Sequence, residues 1–184
     1  QTDSRYLQAV DEYVPAPGQF VNLLPAYASG DDARSMAAKC TAALANNARG
    51  LVSLGGYGGY LTFHFDHRVA NIHGENDLYI AGNSFASADP QWAALGGASE
   101  PGIVMVSRDD NRNGLPDDQW YELRGSADED SVGRVDYAYA LHYTRTTEGA
   151  ITWSDNRGNQ GVVANNAYHT QHYFPRWQIG RAHV

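Results

Sequence analysis

Residues 51–66 read LVSLGGYGGYLTFHFD and indicate an extended segment, a glycine turn and a β-strand in succession. After the turn, Leu61, Phe63 and Phe65 alternate with polar side chains, which predicts a half-buried strand over 60–66. The glycine cluster at 55–59 lacks the lysine and the Ser/Thr of a phosphate-binding loop, and a strand rather than a helix follows it. We therefore interpret 55–59 as a hairpin turn whose backbone passes close to another segment.

Further short strand candidates follow along the chain, at 78–81, 103–106, 120–123 and 151–153. The clearest alternation places five residues on one face, namely Val135, Tyr137, Tyr139, Leu141 and Tyr143. Turns rich in glycine and asparagine separate these segments, and no repeat with a period of about 20–50 residues is visible. The sequence therefore predicts a mostly-β fold, an antiparallel jelly-roll-like β-sandwich.

One amphipathic helix is expected before the strands begin. Ser29, Asp31 and Asp32 supply capping and dipole chemistry at its start, and Gly50 suits its stop. The apolar stripe of this helix consists of Met36, Cys40, Leu44 and Asn47. We expect Met36, Cys40 and Leu44 to pack against the sandwich, which makes Cys40 a buried, inert thiol rather than a nucleophile.

Length and composition exclude several classes of protein. A chain of 184 residues fits one domain, which we place at 1–178. A net charge of −8 and a pI near 5.2 argue against nucleic acid or an anionic membrane as a partner. Cys40 is the single cysteine, so a disulfide scaffold is excluded. A mean hydropathy of −0.50 without a long apolar run predicts no transmembrane segment.

The two ends of the chain carry signals of their own. Residues 179–184 are what the first codons of a widely used sequencing adapter encode, so we expect a non-native tail there. An ordinary polar tail is the alternative. No signal peptide is visible at Gln1, which we attribute to processing or to a fragment.

The stretch 109–118, DDNRNGLPDD, has the oxygen-rich spacing of a calcium loop. Side-chain oxygens stand at about loop positions 1, 3 and 5, glycine at 6, and a carbonyl at 7. Carboxylates follow, and Ca²⁺ takes about six to eight oxygen ligands. The predicted ligands of a structural Ca²⁺ ion are Asp109, Asn111, Asn113, Leu115 (through its carbonyl), Asp117 and Asp118. Trp120 stands where such a loop usually ends in glutamate, and a metal-free turn is the alternative.

A third polar cluster lies near the end of the chain and contains Asn165, Asn166, His169, Gln171, His172, Tyr173 and Trp177. Such side chains bind sugars or planar ligands by stacking and by amide hydrogen bonds. The predicted ligand-binding residues are Asn165, His169, Gln171, Tyr173 and Trp177. A wet loop under the sandwich is the alternative.

Catalytic chemistry has weaker support in the sequence. The chain contains neither G-x-S-x-G nor H-E-x-x-H. No catalytic set stands out, and pairing Glu100, Asp66 or Asp155 as a glycosidase dyad would be arbitrary because the sequence gives no distance between them. In His64-Phe65-Asp66-His67, a strand would place His67 on the opposite face, so we interpret this tetrapeptide as a solvated strand end rather than a metal site.

A set of ordered motifs runs through the chain at 12–22, 53–60, 65–67, 82–85, 99–107, 113–118, 120–123, 125–126 and 153–156. It is completed by His169, Gln171, Tyr173, Pro175 and Trp177. As a set these motifs resemble a family of secreted "cell surface proteins" of gut Bacteroidetes, often lipoproteins and sometimes linked to a PKD-type domain. The resemblance covers nearly the whole chain up to Trp177. Members of the family continue beyond this point, so the resemblance implies that the sandwich over 1–178 is incomplete in this chain. It fails at His64 and Arg108, where the family has small or apolar residues.

The resemblance implies a jelly-roll-like sandwich similar to galactose-binding domains, secreted or anchored at the outer membrane. Members of the family are often encoded beside outer-membrane receptors, including those for cobalamin uptake. We therefore expect a non-enzymatic surface module that binds a glycan or a cobalamin-like corrinoid for uptake, with an outer-membrane receptor as a partner. The alternatives are a structural or adhesive surface protein without a small-molecule site, and a surface glycoside hydrolase.

Overall fold

Short antiparallel strands dominate the secondary structure. The computed structural model describes residues 4–93, 96–98, 100–125, 128–129, 136–145 and 150–178. The strands of these residues form three two-stranded sheets and one three-stranded sheet. The predicted mostly-β class with an N-terminal helix is therefore confirmed. No described helix has the length and apolarity that crossing a bilayer requires.

Contacts between residues divide the chain into two compact units. Unit 1 comprises Gln1–Arg68 together with Asp136–Val184, and unit 2 comprises Val69–Val135. Among the described residues, every buried side chain belongs to unit 1. The single domain over 1–178 stays a prediction, because compact units of this kind fold together or apart depending on the interface between them.

Unit 1 begins with β1 (Ala9–Val14), which pairs with β2 (Tyr60–His64). The helix α1 (Ala33–Leu44) packs on this pair. The buried residues of this first core cluster are Val10, Tyr13, Met36, Ala37 and Cys40. Leu44, Leu61 and Phe63 pack against them, which confirms the predicted apolar faces of the helix and of the strand.

The helix α1 begins as the sequence predicts but ends earlier. The Asp32 carboxylate accepts a hydrogen bond from the Ser35 N–H at 2.8 Å, and the Ser35 hydroxyl accepts one from the Asp32 N–H at 2.9 Å. This capping box satisfies backbone donors that the first turn leaves free. The helix ends at Leu44, and Asn47 takes a left-handed φ of 62°. The predicted continuation to Asn47 and stop at Gly50 are therefore wrong, because asparagine tolerates that conformation and reverses the chain.

The second half of unit 1 is a three-stranded sheet made of β7 (Leu141–Arg145), β8 (Ile151–Asp155) and β9 (Gln160–Val163), numbered after four strands of unit 2. Its inner face forms a second core cluster, whose buried residues are Ala16, Leu141, Tyr143, Ile151 and Tyr173. Packing on one face is what the alternating pattern of a half-buried strand requires.

The strand predicted from the alternation over 135–143 is wrong in its first half. β7 begins only at Leu141, because Ala138 adopts a φ of 53° and turns the chain. Tyr137 is consequently 72% exposed. Val135 lies outside the described residues. The tyrosines of this stretch follow a period of two, but the turn prevents them from sharing one strand face.

The glycine cluster at 55–59 forms a turn that packs backbone against backbone. A Cβ on Gly55 would lie 1.8 Å from the Ala16 carbonyl oxygen, and the Gly56 N–H donates to the Pro17 carbonyl at 3.2 Å. Only glycine fits such an approach, which confirms the predicted close passage of the backbone. The preceding residues 51–54 are extended but not part of a strand, so the turn is not a hairpin.

The described residues of unit 2 include two small antiparallel pairs and a short helix. They are β3 (Phe85–Ala86), α2 (Pro90–Ala93), β4 (Gly97–Ala98), β5 (Met105–Ser107) and β6 (Trp120–Glu122). β3 pairs with β4 and β5 pairs with β6. The predicted strands at 103–106 and 120–123 are confirmed apart from their limits. The predicted strand at 78–81 is wrong, because its backbone pairs with no other described strand.

Candidate functional site

A cleft of about 450 Å³ opens on unit 1 beside β9. One wall comes from the end of β9, and the other comes from the segment 164–178, here called the strap. The cleft is lined by Ala150, Val162, Val163, Ala164, Asn165, Thr170, Gln171, His172 and Tyr173. It thus combines apolar side chains with amide, hydroxyl and imidazole groups. Both its size and this mixture are typical of small-molecule sites.

Asn22 fixes the position of the strap. Its side-chain amide donates to the carbonyls of His172 at 2.6 Å and Phe174 at 3.0 Å. Its Oδ1 accepts from the Arg176 N–H at 3.0 Å. Asn22 is buried and adopts a φ of 73°, a conformation that asparagine tolerates better than most residues. One side chain therefore satisfies three backbone groups of the strap.

The structure brings three of the predicted ligand-binding residues, Asn165, Gln171 and Tyr173, to the cleft. The Asn165 amide donates to the Gln171 carbonyl at 3.3 Å, and the Gln171 amide donates to the Gln19 carbonyl. Tyr173 is only 3% exposed, and its hydroxyl donates to the His169 carbonyl at 2.9 Å. Its ring is therefore committed to the second core cluster and offers little surface for stacking on a ligand.

His169 and Trp177, the other two predicted residues, do not line the cleft. The His169 ring makes an edge contact with Phe20, their centroids 4.7 Å apart. Trp177 stacks on Tyr13 with a centroid distance of 5.5 Å and packs against the first core cluster. Trp177 is close to the cleft residues in sequence, but in the structure its indole packs against the first core cluster.

His172 is the most unusual polar group of the cleft. Among the described residues its Nδ1 is buried without a hydrogen-bond partner, which is uncommon for a buried nitrogen. Burial, together with the charges of Arg145 and Arg176, lowers the pKa of His172 below its ordinary value. The ring is therefore neutral at pH 7. His172 belongs to the polar cluster predicted from the sequence, whereas the cleft residues Val162 and Thr170 carry no motif and were not predicted.

The loop 109–118 of unit 2 is ordered by its own side chains. The Asp109 carboxylate accepts from the N–H groups of Asn113 and Gly114, each at 3.1 Å. Asn111 Oδ1 accepts from the Asn113 N–H at 2.9 Å, and Asn113 Oδ1 accepts from the Leu115 N–H at 2.7 Å. These bonds turn the side-chain oxygens of the first three predicted calcium ligands toward the inside of the loop.

The closing carboxylates of the loop are also engaged. The side-chain amides of Asn113 and Asn111 donate to Asp117 at 2.9 Å and 3.1 Å, and they hold the pKa of the Asp117 carboxyl below its ordinary value. Asp118 accepts from the Asp110 N–H at 3.2 Å. Arg108 forms an exposed ion pair with Asp110 at 3.0 Å, outside the predicted ligand set.

The donor set of the loop fits a hard cation. It contains carboxylate, amide and carbonyl oxygens and no nitrogen or sulfur ligand, which is the set that Ca²⁺ prefers. Within the described ranges, no three His, Cys, Asp or Glu side chains converge as a metal-binding group. A calcium shell here therefore depends on the amide oxygens of Asn111 and Asn113 and on the Leu115 carbonyl, as the sequence predicts.

The tetrapeptide at 64–67 forms two separate surface pairs. His64 Nδ1 lies 2.8 Å from the Asp11 carboxylate, and His67 Nδ1 lies 2.7 Å from that of Asp66. The hydrogen bond from His67 holds the pKa of Asp66 below its ordinary value. The two imidazoles thus have different partners, as expected for a solvated strand end.

Asp155, one of the candidate carboxylates for hydrolysis, caps the turn between β8 and β9. It accepts from Tyr139 Oη at 2.8 Å, and from the side chain and backbone N–H of Asn159, each at 2.7 Å. Burial acts to raise the pKa of Asp155, but the hydrogen bonds from Asn159 and Tyr139 outweigh it and hold this pKa at about 2. Its oxygens are occupied by the turn.

No protein-family model matches the chain, and no curated protein matches it. The resemblance to the Bacteroidetes surface proteins therefore stays an expectation. Support for a function comes from the geometry of the cleft and of the loop 109–118.

Proposed function

We propose that this protein is a non-enzymatic cell-surface module whose cleft binds a glycan for uptake. The observation that carries the proposal is the cleft itself, where valine and alanine side chains face amide and hydroxyl groups. A pyranose ring has the matching character, because its C–H face is apolar and its rim carries hydroxyl donors and acceptors. The resemblance to exported surface proteins adds the location, either secreted or anchored at the outer membrane beside a receptor.

The size of the cleft favours a glycan over a corrinoid. Its volume of about 450 Å³ lies at the low end of the usual range for small-molecule sites. A short saccharide fits within this volume, whereas a corrinoid macrocycle with its nucleotide tail is several times larger than one sugar. Tyr173 and Trp177 pack in the cores and offer no open platform for a flat macrocycle.

We further propose that the sheets belong to a jelly-roll-like sandwich. The three-stranded sheet supports this, because one of its faces is buried while β7 and β9 are its edge strands. A sandwich buries the faces of two such sheets against each other. Structural Ca²⁺ in the loop 109–118 is part of the same proposal, since that loop joins β5 to β6.

The calcium site is tested with Ca²⁺ and its luminescent substitute Tb³⁺. We expect Trp120 to sensitise Tb³⁺ emission, because its indole N–H donates to the Pro116 carbonyl of the loop at 3.2 Å. Ca²⁺ should displace Tb³⁺ with a Kd of about 10⁻⁴–10⁻³ M, because two of the ligands are neutral amides. Asp109→Ala should abolish the emission, and His64→Ala should leave it unchanged. Unchanged emission in Asp109→Ala means that the loop is only a turn.

The glycan site is tested by NMR titration of the ¹⁵N-labelled protein with a glycan panel and with cobalamin. We expect a glycan to shift the amides of 162–165 and 170–173. Ala164→Trp fills the cleft and should remove the shifts, whereas Ala167→Trp, an exposed strap residue outside the lining, should keep them. Shifts from cobalamin alone identify a corrinoid site. If neither the glycans nor cobalamin shift any amide, the alternative of an adhesive protein without a small-molecule site is favoured. Glycan turnover that depends on Glu100 or Asp155 favours the hydrolase.

A further inference from the structure

Two arginines without an acidic partner among the described residues belong to the elements beside the cleft, although neither is part of its lining. Arg145 ends β7 and Arg176 lies on the strap, and both side chains are exposed. The ion pairs in the described part of the chain all involve other residues. Arg176 lies over the Tyr27 ring, with its Cζ 6.0 Å from the centroid. The chain as a whole carries a net charge of −8, so this cationic pair opposes the charge of the molecule.

The sheet register places Arg145 on the cleft side. Arg145 pairs with Ile151, and Ile151 pairs with Val163, a lining residue. Directly paired residues of antiparallel strands project from the same face. Arg145 and Val163 are therefore two strands apart, roughly 10 Å, on one face. A long guanidinium side chain spans much of that distance.

The described lining of the cleft contains no carboxylate, while both arginines act electrostatically on the His172 ring in its wall. Both arginines thus lie close enough to the cleft wall to act on one of its groups, and the neighbouring amides of Asn165 and Gln171 add hydrogen-bonding groups. Guanidinium groups bind carboxylates through parallel hydrogen bonds, which a neutral sugar does not offer. The cleft thus matches a sugar that carries a negative charge.

We propose that the cleft selects an acidic sugar, a uronic acid whose C6 carboxylate is bound by Arg145 and Arg176. This inference rests on the proposed glycan-binding function and narrows it to one class of ligand. The apolar wall of valine and alanine receives the ring, and the two guanidinium groups receive the carboxylate at the rim.

The test uses three matched pairs of methyl glycosides, the gluco, galacto and manno forms with a C6 carboxylate or a C6 hydroxyl. Binding is measured by NMR titration of the whole chain. We expect the acidic member of at least one pair to bind about fivefold more tightly, the strength of an exposed charge pair. Arg145→Gln and Arg176→Gln should each reduce this preference, and added salt should weaken it. Arg34→Gln removes the same charge from the exposed surface of α1 and should leave the preference for the acidic sugar unchanged.

The outcomes separate this inference from the function on which it rests. Neutral members that bind as tightly as the acidic ones overturn the charge selection and leave the glycan site intact. A preference that survives in the Arg145→Gln, Arg176→Gln double variant also overturns it. If no member of any pair shifts the amides of 162–165 and 170–173, the glycan-binding function fails as well. Unchanged amide spectra of the ligand-free variants establish that each is folded.

Discussion

The Asn22 side chain forms three long-range hydrogen bonds to the strap, and no sequence motif predicts them. Its amide and carbonyl oxygen serve three backbone groups of the strap, more than 140 residues away along the chain. Its left-handed conformation adds a requirement that few side chains meet without strain. A single asparagine therefore positions the cleft wall formed by 170–173.

Replacing Asn22 by alanine should destabilise unit 1 strongly. The change leaves two part-buried strap carbonyls and one part-buried N–H without their partner, at a cost of about 2–3 kcal/mol in the free energy of unfolding. A further cost of about 1 kcal/mol comes from placing alanine at a positive φ. Urea unfolding measures the sum. Asn47→Ala is the control, since Asn47 is exposed at a similar φ of 62° and should cost only the backbone contribution.

Cys40 should make the protein less stable at alkaline pH. Burial raises the pKa of its thiol to about 12, so the folded state keeps the proton while the unfolded state loses it above about pH 9. Because the folded state then binds more protons, the free energy of unfolding falls as pH rises from about 9 towards 12. Urea unfolding at about pH 8 and pH 10 should show a smaller loss in Cys40→Ala. An equal loss in both proteins would assign the effect to Tyr13, whose pKa burial also raises.

At the scale of elements, the glycine turn at 55–59 sets how closely two backbone segments approach. Gly55→Ala should disrupt that approach, because the new Cβ meets the Ala16 carbonyl oxygen at 1.8 Å and the residue has a φ of +74°. Gly30→Ala is the control. Gly30 has a φ of +95° but open space around the position of a Cβ, so this variant costs only the backbone strain, about 1–2 kcal/mol. Gly55→Ala should cost about 1–3 kcal/mol more by urea unfolding. Equal costs would contradict the close packing.

Local chemistry predicted the elements whose signals are local. The Asp32 cap, the Met36 and Cys40 stripe and the alternation through Phe63 depend on neighbours within a few residues, and each appears in the structure. The helix α1 ends before the extended Ala45, which is followed by Asn46 and Asn47 at positive φ, and β7 begins only after Ala138, also at positive φ. Ala138 carries no signal that separates it from a strand residue, and Asn47 fits the helical spacing of Met36 and Cys40, so both predicted elements are too long.

The cleft was predictable only in part, because contacts between residues distant in sequence decide which side chains line it. A polar cluster marks the strap, and Asn165, Gln171 and Tyr173 do reach the cleft. Which aromatic ring faces a ligand and which fills the core depends on the pairing of the strap with Asn22, and no spacing within 165–177 encodes that pairing. Val162 reaches the cleft through the register of β9, which becomes visible only in the sheet.

At the scale of the whole molecule, burial is distributed unevenly between the two units. Hydrogen exchange should therefore show strong protection in β1, α1 and β8 and weak protection in β5 and β6, because local stability follows buried apolar contact. Mass spectrometry of peptides from both units measures this difference in hydrogen-exchange protection. Equal opening free energies for β1 and β5 would show that 1–178 unfolds as one cooperative domain.

The hydrogen bonds of Asn22 also set an order of events during synthesis. The groups that Asn22 binds leave the ribosome 150–154 residues after it does, so unit 1 cannot close until the strap has been made. β1, α1 and β2 are complete by residue 64, long before that moment. Closing so long a loop is slow, because its entropy is lost before the distant contacts repay it. The nascent chain therefore exposes the partners of the strap until the strap itself has been made, which leaves those partners open to chaperones in the meantime.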